Sequence, residues 1–354
     1  MSASARGSVP GEGQAGPAAA VHASEWPARD AEGRRVPDFF IVGHQKCGTT
    51  ALHMMLREHP QVFLPEVKEP RFFVYADRTR APRREQAAKG RPRTLEEYLA
   101  LFAAAGPDQR AGEASPQYLR SHTAPARIAQ VAPHARIIAI LREPVDFLRS
   151  LHLQLLASNI ETQKHFEKAI ALEASRREGK RIPSRCEHPE TLLYSEHVHY
   201  VEQLRRFAAL FGEERMLVLL YDDYRADNQA TVRSVLRFLG LDDTVAIEAT
   251  DTKPSTAVRS RSLHRVAGVA RRAHRNPHAA GPVSRAIGAV TPGFLRSDAV
   301  RTRWRRVVYS QPPAPDAQFT TELRRRYRAE VVALSEYLDR DLVSLWGYDA
   351  AVRG

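Results

Sequence analysis

The residues best suited to chemistry lie in one short loop near the start of the chain. Residues 39–52 read FFIVGHQKCGTTAL: an apolar run, a loop bounded by glycines, and then apolar residues at helical spacing. A loop that joins a strand to a helix aims several backbone N–H groups at one point, where the helix dipole adds partial positive charge. The sequence therefore predicts a phosphate-binding loop here.

The lysine of this loop distinguishes it from the loops of nucleotide triphosphatases. Gly43 and Gly48 have the separation of the two glycines in GxxxxGK[ST]. Thr49 stands at the lysine position of that pattern, however, and the loop's own lysine is Lys46. A triphosphatase needs its lysine on the β- and γ-phosphates and a Ser or Thr on Mg²⁺. The misplaced lysine weakens the interpretation as a P-loop kinase or NTPase, which stays open as an alternative.

A second segment with the residue types of a phosphate site reads IIAILREPVDFLRS, at 137–150. Arg142 follows a buried strand directly, and Ser150 lies eight residues later in the helix that Pro144 begins. An arginine leaving a strand and a serine two helical turns away can converge on one phosphate. The alternatives are a structural salt bridge for Arg142 and an ordinary surface position for Ser150.

These two segments resemble the nucleotide-binding motifs of the PAPS-dependent sulfotransferase family, in its bacterial members and its carbohydrate and heparan-type branch. The family's 5′-phosphosulfate loop is usually written PKSGTT, and residues 45–50 here read QKCGTT. The resemblance implies that the donor, 3′-phosphoadenosine 5′-phosphosulfate, is bound by Lys46, Cys47, Gly48, Thr49 and Thr50. It also makes Lys46 a catalytic residue that stabilises the leaving oxygen. Cys47 replaces the usual Ser or Ala and would contribute its backbone N–H.

The same resemblance assigns two further segments to the 3′-phosphate of the donor. Arg142 and Ser150 match the family's 3′-phosphate element in type and spacing. Residues 253–261, KPSTAVRSR, resemble a loop that folds over the nucleotide in many bacterial members, which implies contacts from Arg259, Ser260 and Arg261. No metal is implied, since lysine and backbone N–H groups would supply the positive charge.

The base that takes the acceptor's proton is expected in the segment KEPRFF, at 68–73. It resembles the Lys-Glu-Pro type segment of the carbohydrate branch, which makes Glu69 the leading catalytic base and Lys68 a substrate-binding residue. Glu113, in GEASPQY, also resembles a family segment near the acceptor and is a candidate for substrate binding. His44 is a rival base, and the plain alternative for Glu69 is a surface glutamate paired with a neighbouring cation.

The elements that must position these residues alternate between strands and helices. Apolar runs predict strands at 39–42, 136–141 and 216–220, and amphipathic spacing predicts helices between them, with a long helix over 322–345. This order is typical of an α/β protein with a P-loop-like three-layer α/β/α fold and a central parallel sheet. We expect residues 1–36, rich in Ala, Gly, Ser and Pro, to be a disordered tail, and residues 37–354 to be one sulfotransferase domain.

Composition limits the class of protein further. Hydrophobic residues are 43% and charged residues 27% of the 354, an ordinary globular balance. No run approaches the roughly 20 apolar residues of a membrane span. The two cysteines do not form a disulfide framework, which favours a cytoplasmic location.

The net charge of +12 is concentrated in one stretch, because residues 257–306 carry twelve arginines, no lysine and one acid. Guanidinium groups match phosphate and sulfate oxygens, so this block favours anion recognition. The alternatives are a solvated basic surface, a grip on an anionic acceptor, and a non-catalytic polyanion-binding protein. No zinc-finger spacing or interleaved aromatic platform favours specific nucleic-acid binding.

The sequence thus predicts an enzyme that moves a sulfuryl group from the donor to a hydroxyl, or an amine, of another molecule. The partner is a small-molecule or glycan acceptor, and glycans, glycolipids and secondary metabolites all stay open. Acceptor specificity is expected in two polar segments, 76–94 and 158–192, since variable loops at the mouth of a site commonly set it.

Overall fold

Five strands form the central sheet of the protein. The computed structural model describes residues 27–74, 91–248 and 316–349, and describes 257–258 and 309–310 by their backbone. The strands of the sheet are β1 Phe39–Gly43, β2 Val62–Phe63, β3 Arg110–Ala114, β4 Arg136–Leu141 and β5 Met216–Leu220. Their order is β2-β3-β1-β4-β5, and every pairing in it is parallel. The predicted α/β fold with a central parallel sheet is confirmed.

The central position of β1 explains its unbroken apolar sequence. All five of its residues are buried, because helices cover both of its faces and strands pair on both of its edges. Phe39 lies opposite Gly112 of β3 in the parallel register. A Cβ on Gly112 would lie 2.3 Å from the Phe39 ring, so only glycine permits this pairing. Parallel strands end at the same edge of a sheet, and the loops after β1, β3 and β4 therefore meet there.

The helices flank this sheet in the described parts of the chain. They are α1 Thr49–Arg57, α2 Leu95–Ala100, α3 Ala124–Val131, α4 Pro144–Ala157, α5 Phe166–Ala171, α6 Glu173–Arg177, α7 Tyr200–Phe211, α8 Tyr221–Ala226, α9 Asn228–Phe238, α10 Ala317–Leu338 and α11 Leu342–Leu345. A second, antiparallel pair of strands is formed by β6 Ala257–Val258 and β7 Tyr309–Ser310. No helix among the described residues has both the length and the apolar character needed to cross a lipid bilayer.

The C-terminal helix differs from the prediction of one helix over 322–345. α10 begins five residues earlier than predicted, at Ala317, where the Asp316 side chain caps it by accepting from the Phe319 N–H. It ends at Asp339, whose φ of 48° is left-handed and stops the helix. Asp341 then caps the separate helix α11. The apolar spacing continues across the break, which is why periodicity alone predicted a single helix.

Buried ion pairs involve residues of two segments, 27–36 and 158–192. Within the predicted tail, residues 27–36 are described and pack on the domain: Arg35 forms an ion pair of 2.5 Å with Asp38, and the Ala28 N–H donates to the same carboxylate at 3.0 Å. The polar segment 158–192, where acceptor specificity is expected, contains α5 and α6. A fully buried ion pair between Arg176 and Glu161, 2.8 Å from Nη2 to Oε2, joins two parts of this segment.

Candidate active site

The loop between β1 and α1 has the backbone shape that anion binding requires. Gly48 has a φ of 87° and caps α1, and a Cβ there would lie 3.2–3.3 Å from the rings of Tyr224 and Tyr221. Lys46 also has a positive φ, 68°, a conformation that is uncommon for a residue with a side chain. The first N–H groups of a helix have no partner within it. Gly48, Thr49 and Thr50 therefore supply the donors that a phosphate would use.

Lys46 lies against Arg142, so the structure brings the two predicted donor motifs together. The Nη1 of Arg142 donates to the backbone oxygen of Lys46 at 3.5 Å. Burial, and next the positive charge of Arg142, lower the pKa of the Lys46 ammonium. Two positive charges that repel each other in this way suit the binding of an anion near them. The Arg142 guanidinium also lies over the Tyr221 ring, 4.9 Å from its centroid.

Cys47 has a setting that differs from that of its neighbours in the loop. Its side chain is fully buried, and burial raises the pKa of the thiol to about 12. Its N–H donates to the His44 carbonyl at 3.3 Å and closes the turn. The N–H that was predicted to bind the donor thus has a partner within the loop. Cys47 supports the shape of the loop with an uncharged thiol.

Ser150 lies two turns into α4 and is buried. The backbone of Arg142, just before this helix, is fixed by the Tyr200 hydroxyl, which donates to its carbonyl at 2.9 Å. The predicted contacts of Arg259, Ser260 and Arg261 lie outside the described residues, as does most of the arginine-rich stretch. The pair directly before them, Ala257–Val258, contacts α4.

Glu69 lies in a backbone segment of unusual conformation. Glu69 and Arg71, on either side of Pro70, have φ values of 54° and 53°. Non-glycine residues in the left-handed region cluster at functional sites, where the surrounding structure holds them in place. The Arg71 Nη2 lies 2.5 Å from Glu69 Oε2, and the Arg71 N–H donates to Ser115 Oγ at 3.0 Å. The segment is therefore fastened to the loop that follows β3.

Lys68 connects this segment to the phosphate-binding loop. Its ammonium donates to the Thr50 hydroxyl at 2.5 Å and lies 3.8 Å from Glu69 Oε1. Burial lowers the pKa of Lys68, whereas the Glu69 carboxylate raises it. The family resemblance implies that Thr50 binds the donor and Lys68 the acceptor, and the two side chains are in direct contact.

Glu113 lies on β3 and is only 1% exposed. Both carboxylate oxygens are buried without a hydrogen-bond partner among the described residues. Burial and, to a smaller extent, the charge of nearby Glu69 raise the pKa of Glu113 from 4.5 to about 8. The Tyr118 hydroxyl is close enough to lower this pKa, though not in hydrogen-bonding geometry. Glu113 is thus an uncharged carboxylic acid at neutral pH, next to the candidate base.

His44, the rival base, has the environment of a structural residue. It is 2% exposed and packs against the rings of Phe147 and Tyr200. Its Nε2 lies 2.7 Å from Gln203 Oε1, which can only accept, so Nε2 carries the proton. Burial lowers the pKa of His44 to about 4. A buried imidazole that is already hydrogen-bonded to an amide is a poor acceptor for a substrate proton.

Two residues near the site were missed by the sequence analysis. Tyr221 directly follows β5 and contacts both Gly48 and Arg142, as described above, and its position after a parallel strand was the available signal. His53 on α1 is buried, and its Nδ1 has no hydrogen-bond partner within the described ranges; burial, and next the charge of Lys68, lower its pKa to about 4. No local pattern marked His53. Among the described residues, no group of three or more His, Cys, Asp or Glu side chains is arranged to hold a metal ion.

Comparison with known proteins gives consistent matches. A model described as the sulfotransferase family matches residues 37–245. Human carbohydrate sulfotransferase 15 is 28% identical over 250 residues, which cover 59% of this chain and 44% of that protein. The human bifunctional heparan sulfate N-deacetylase/N-sulfotransferase 3 is 28% identical over 220 residues, 58% of this chain and 22% of that protein. The chain thus spans less than half the length of these curated relatives.

Among solved structures, a sulfotransferase from Alicyclobacillus acidocaldarius has the same fold, with a TM-score of 0.59 and 24% identity over 88% of this chain and 98% of that one. The match to the family model covers more than half of the 354 residues and includes the phosphate-binding loop, the Glu69 segment and the Arg142 element. The chain belongs to the sulfotransferase family.

Proposed function

We propose that this chain transfers a sulfuryl group from 3′-phosphoadenosine 5′-phosphosulfate to a hydroxyl, or an amine, of a glycan-type acceptor. The observation that carries the proposal is the contact between Lys68 and both Thr50 and Glu69, at 2.5 and 3.8 Å. It joins a phosphate-binding loop to a carboxylate that can accept a proton. Such proximity is what an in-line group transfer needs, because donor and acceptor must meet within one site.

The donor half of the proposed site has three parts. The N–H groups and hydroxyls of Thr49 and Thr50 hold the 5′-phosphate, at the positive end of α1. Lys46 neutralises the charge that develops on the leaving phosphate oxygen as the bond from sulfur to that oxygen breaks. Arg142, with Ser150 on α4, holds the 3′-phosphate. Arg259, Ser260 and Arg261 remain proposed contacts to this phosphate.

The acceptor half of the proposed reaction depends on Glu69. As the acceptor oxygen forms its bond to sulfur, its proton passes to the Glu69 carboxylate. The product that leaves is adenosine 3′,5′-bisphosphate, called 3′,5′-phosphoadenosine here. Lys68 and Arg71 hold that carboxylate from two sides. Glu113, uncharged beside it, can donate a hydrogen bond to the acceptor or to Glu69.

The acceptor class is inferred from the relatives. The carbohydrate and heparan sulfate sulfotransferases named above act on sugars, as their names state. Their similarity to this chain supports a glycan-type acceptor over a phenol or a simple alcohol. The free thiols of Cys47 and Cys186 support a reducing compartment, and cell fractionation of the native host with an antibody to this chain tests a cytoplasmic location.

The decisive experiment for the donor is a binding measurement by calorimetry. We expect the chain to bind 3′,5′-phosphoadenosine without Mg²⁺ and to prefer it over ATP and GTP. Lys46→Ala should weaken this binding, while the matched control Lys168→Ala, an exposed lysine on α5, should not. Mg²⁺-dependent preference for ATP, with indifference to a 3′-phosphate, would support a kinase or NTPase and reject the proposal.

A further inference from the structure

Residues 339–348, called the C-terminal clamp here, contact the segment that follows β4. The Tyr348 hydroxyl donates to Oε1 of Glu143 at 2.7 Å. Tyr348 is fully buried and Glu143 is 5% exposed, so this hydrogen bond is shielded from water. A hydrogen bond in such surroundings is electrostatically stronger than one in water. Because Glu143 directly follows Arg142, the clamp holds the residue next to this arginine in place.

Glu143 connects the clamp to the side chain of Arg142 through Asp146. The Asp146 N–H donates to Oε2 of Glu143 at 2.6 Å, which caps the start of α4. The Asp146 carboxylate in turn lies 3.4 Å from Nη2 of Arg142. A continuous series of contacts therefore runs from the buried Tyr348 hydroxyl to the Arg142 guanidinium.

A second series of contacts reaches Arg142 from the end of β5. The indole N–H of Trp346 donates to Oδ2 of Asp222 at 3.0 Å. Asp222 directly follows Tyr221, and the ring of Tyr221 lies under the Arg142 guanidinium, 4.9 Å from centroid to Cζ. An aromatic face attracts a cation placed in this way. Both groups that hold the Arg142 side chain, a carboxylate and a ring, are thus linked to the clamp.

The contacts of the clamp differ in how far they are buried. Arg340 donates to both oxygens of Asp223, at 2.5 and 2.8 Å, but these two side chains are 40% and 47% exposed. Exposed ion pairs contribute little to stability. Tyr348 and Trp346, by contrast, are 0% and 4% exposed. The effect of the clamp on Arg142 is therefore expected to depend on these two buried donors.

We propose that the C-terminal clamp positions the Arg142 guanidinium for the 3′-phosphate of the donor, with Tyr348 and Trp346 as positioning residues that act on the nucleotide through Arg142. An arginine side chain has several rotatable bonds, and holding it in place beforehand reduces the entropy lost on binding. The inference rests on the proposed function, in which Arg142 binds this phosphate. It goes further, because the clamp lies outside residues 37–245, which match the family model.

The test is calorimetry on the full chain with Tyr348→Phe, which removes the hydroxyl and keeps the ring. We expect the Kd for 3′,5′-phosphoadenosine to rise roughly three- to tenfold, as is typical of changes along a coupled series of contacts. The Kd for adenosine 5′-phosphosulfate, which lacks the 3′-phosphate, should not change. Tyr327→Phe on α10 is the matched control, since that hydroxyl is also buried but has no hydrogen-bond partner within the described ranges. It should leave both Kd values unchanged.

A double-mutant cycle distinguishes positioning of Arg142 from a general structural role. If Tyr348 acts through Arg142, adding Tyr348→Phe to Arg142→Ala should cause no further rise in the Kd for 3′,5′-phosphoadenosine. If the hydroxyl only supports the fold, the two losses of affinity should add. If Tyr348→Phe does not fold, Trp346→Phe removes the other buried donor and replaces it in the cycle, with the same result expected.

Three results would reject the clamp proposal: an unchanged Kd for 3′,5′-phosphoadenosine in the variant, equal losses for the two nucleotides, or additive losses in the cycle. Each of them is read in a chain whose unaltered form binds 3′,5′-phosphoadenosine. Failure of the unaltered chain to bind this nucleotide rejects the proposed function itself, so the two failures can be told apart.

Discussion

The ammonium of Lys68 donates a hydrogen bond to the hydroxyl of Thr50, with 2.5 Å between the two atoms. The same ammonium lies 3.8 Å from the Glu69 carboxylate. One cation thus touches a residue assigned to the donor and a residue assigned to proton transfer. Its position indicates a role at the transferred group, in addition to any contact with the acceptor.

Replacing Lys68 by methionine tests this position. Lys68→Met keeps the length of the side chain but removes the charge, so we expect weaker donor binding, by roughly tenfold, since charged hydrogen bonds contribute about 1.5–3 kcal/mol. Calorimetry with 3′,5′-phosphoadenosine measures the change, and Lys168→Met on the exposed side of α5 is the control. If the variant binds the donor normally and loses only acceptor affinity, Lys68 binds the acceptor and has no role at the transferred group.

Replacing Glu69 by glutamine tests the base. Glu69→Gln keeps the shape and the contact with Arg71 but cannot take a proton, so single-turnover sulfation should slow by roughly 10²–10⁴-fold. Donor affinity should stay close to that of the unaltered chain. Glu66→Gln, at an exposed glutamate two residues before this segment, is the matched control. Near-normal single-turnover rates in Glu69→Gln would remove it as the base.

Replacing Arg142 by alanine tests the assignment of the 3′-phosphate. We expect Arg142→Ala to weaken binding of 3′,5′-phosphoadenosine by roughly 10–100-fold, the effect of losing a charged hydrogen bond. Adenosine 5′-phosphosulfate, which lacks the 3′-phosphate, should bind the variant and the unaltered chain alike. Arg233→Ala, an exposed arginine on α9, is the control. Equal losses for both nucleotides would place Arg142 elsewhere on the donor.

The buried carboxyl of Glu113 predicts how stability depends on pH. Its pKa is near 8 in the folded chain and near 4.5 when exposed, so the unfolded chain loses this proton first as pH rises. The protonated Glu113 carboxyl therefore makes its full contribution to the free energy of unfolding below about pH 4.5. This contribution is lost between about pH 4.5 and about pH 8, at up to about 1.4 kcal/mol per pH unit.

Urea unfolding at about pH 5 and about pH 9 measures this effect. Glu113→Gln cannot ionise, so its free energy of unfolding should exceed that of the unaltered chain at the higher pH by more than it does at the lower pH. Glu96→Gln, exposed on α2, should show no such trend. A constant difference between Glu113→Gln and the unaltered chain at both pH values would contradict a raised pKa.

Local patterns were sufficient for much of the fold. The apolar runs at 136–141 and 216–220 became β4 and β5 with those bounds, and the run at 39–42 became β1 with one more residue. The loop after β1 and the arginine after β4 were also predictable. Each depends on residues close in sequence, where strand, loop and helix follow one another and the backbone itself would form the proposed anion site.

Other features depend on contacts between residues far apart in the chain, and only the tertiary structure decided them. Lys68 and Thr50 are 18 positions apart, and the burial that makes Glu113 an uncharged acid comes from the packing of several segments around β3. A cavity lined by Gln117 also has walls from separate parts of the chain, among them Val74 and Gln203. Sequence periodicity reports which face of an element is apolar, but burial, pKa and the shape of a cavity are set by which elements pack together. The sequence by itself therefore predicted the residues proposed to bind the donor, while tertiary packing decided where Lys68, Glu69 and Glu113 lie and how the pKa values of Lys68 and Glu113 are shifted.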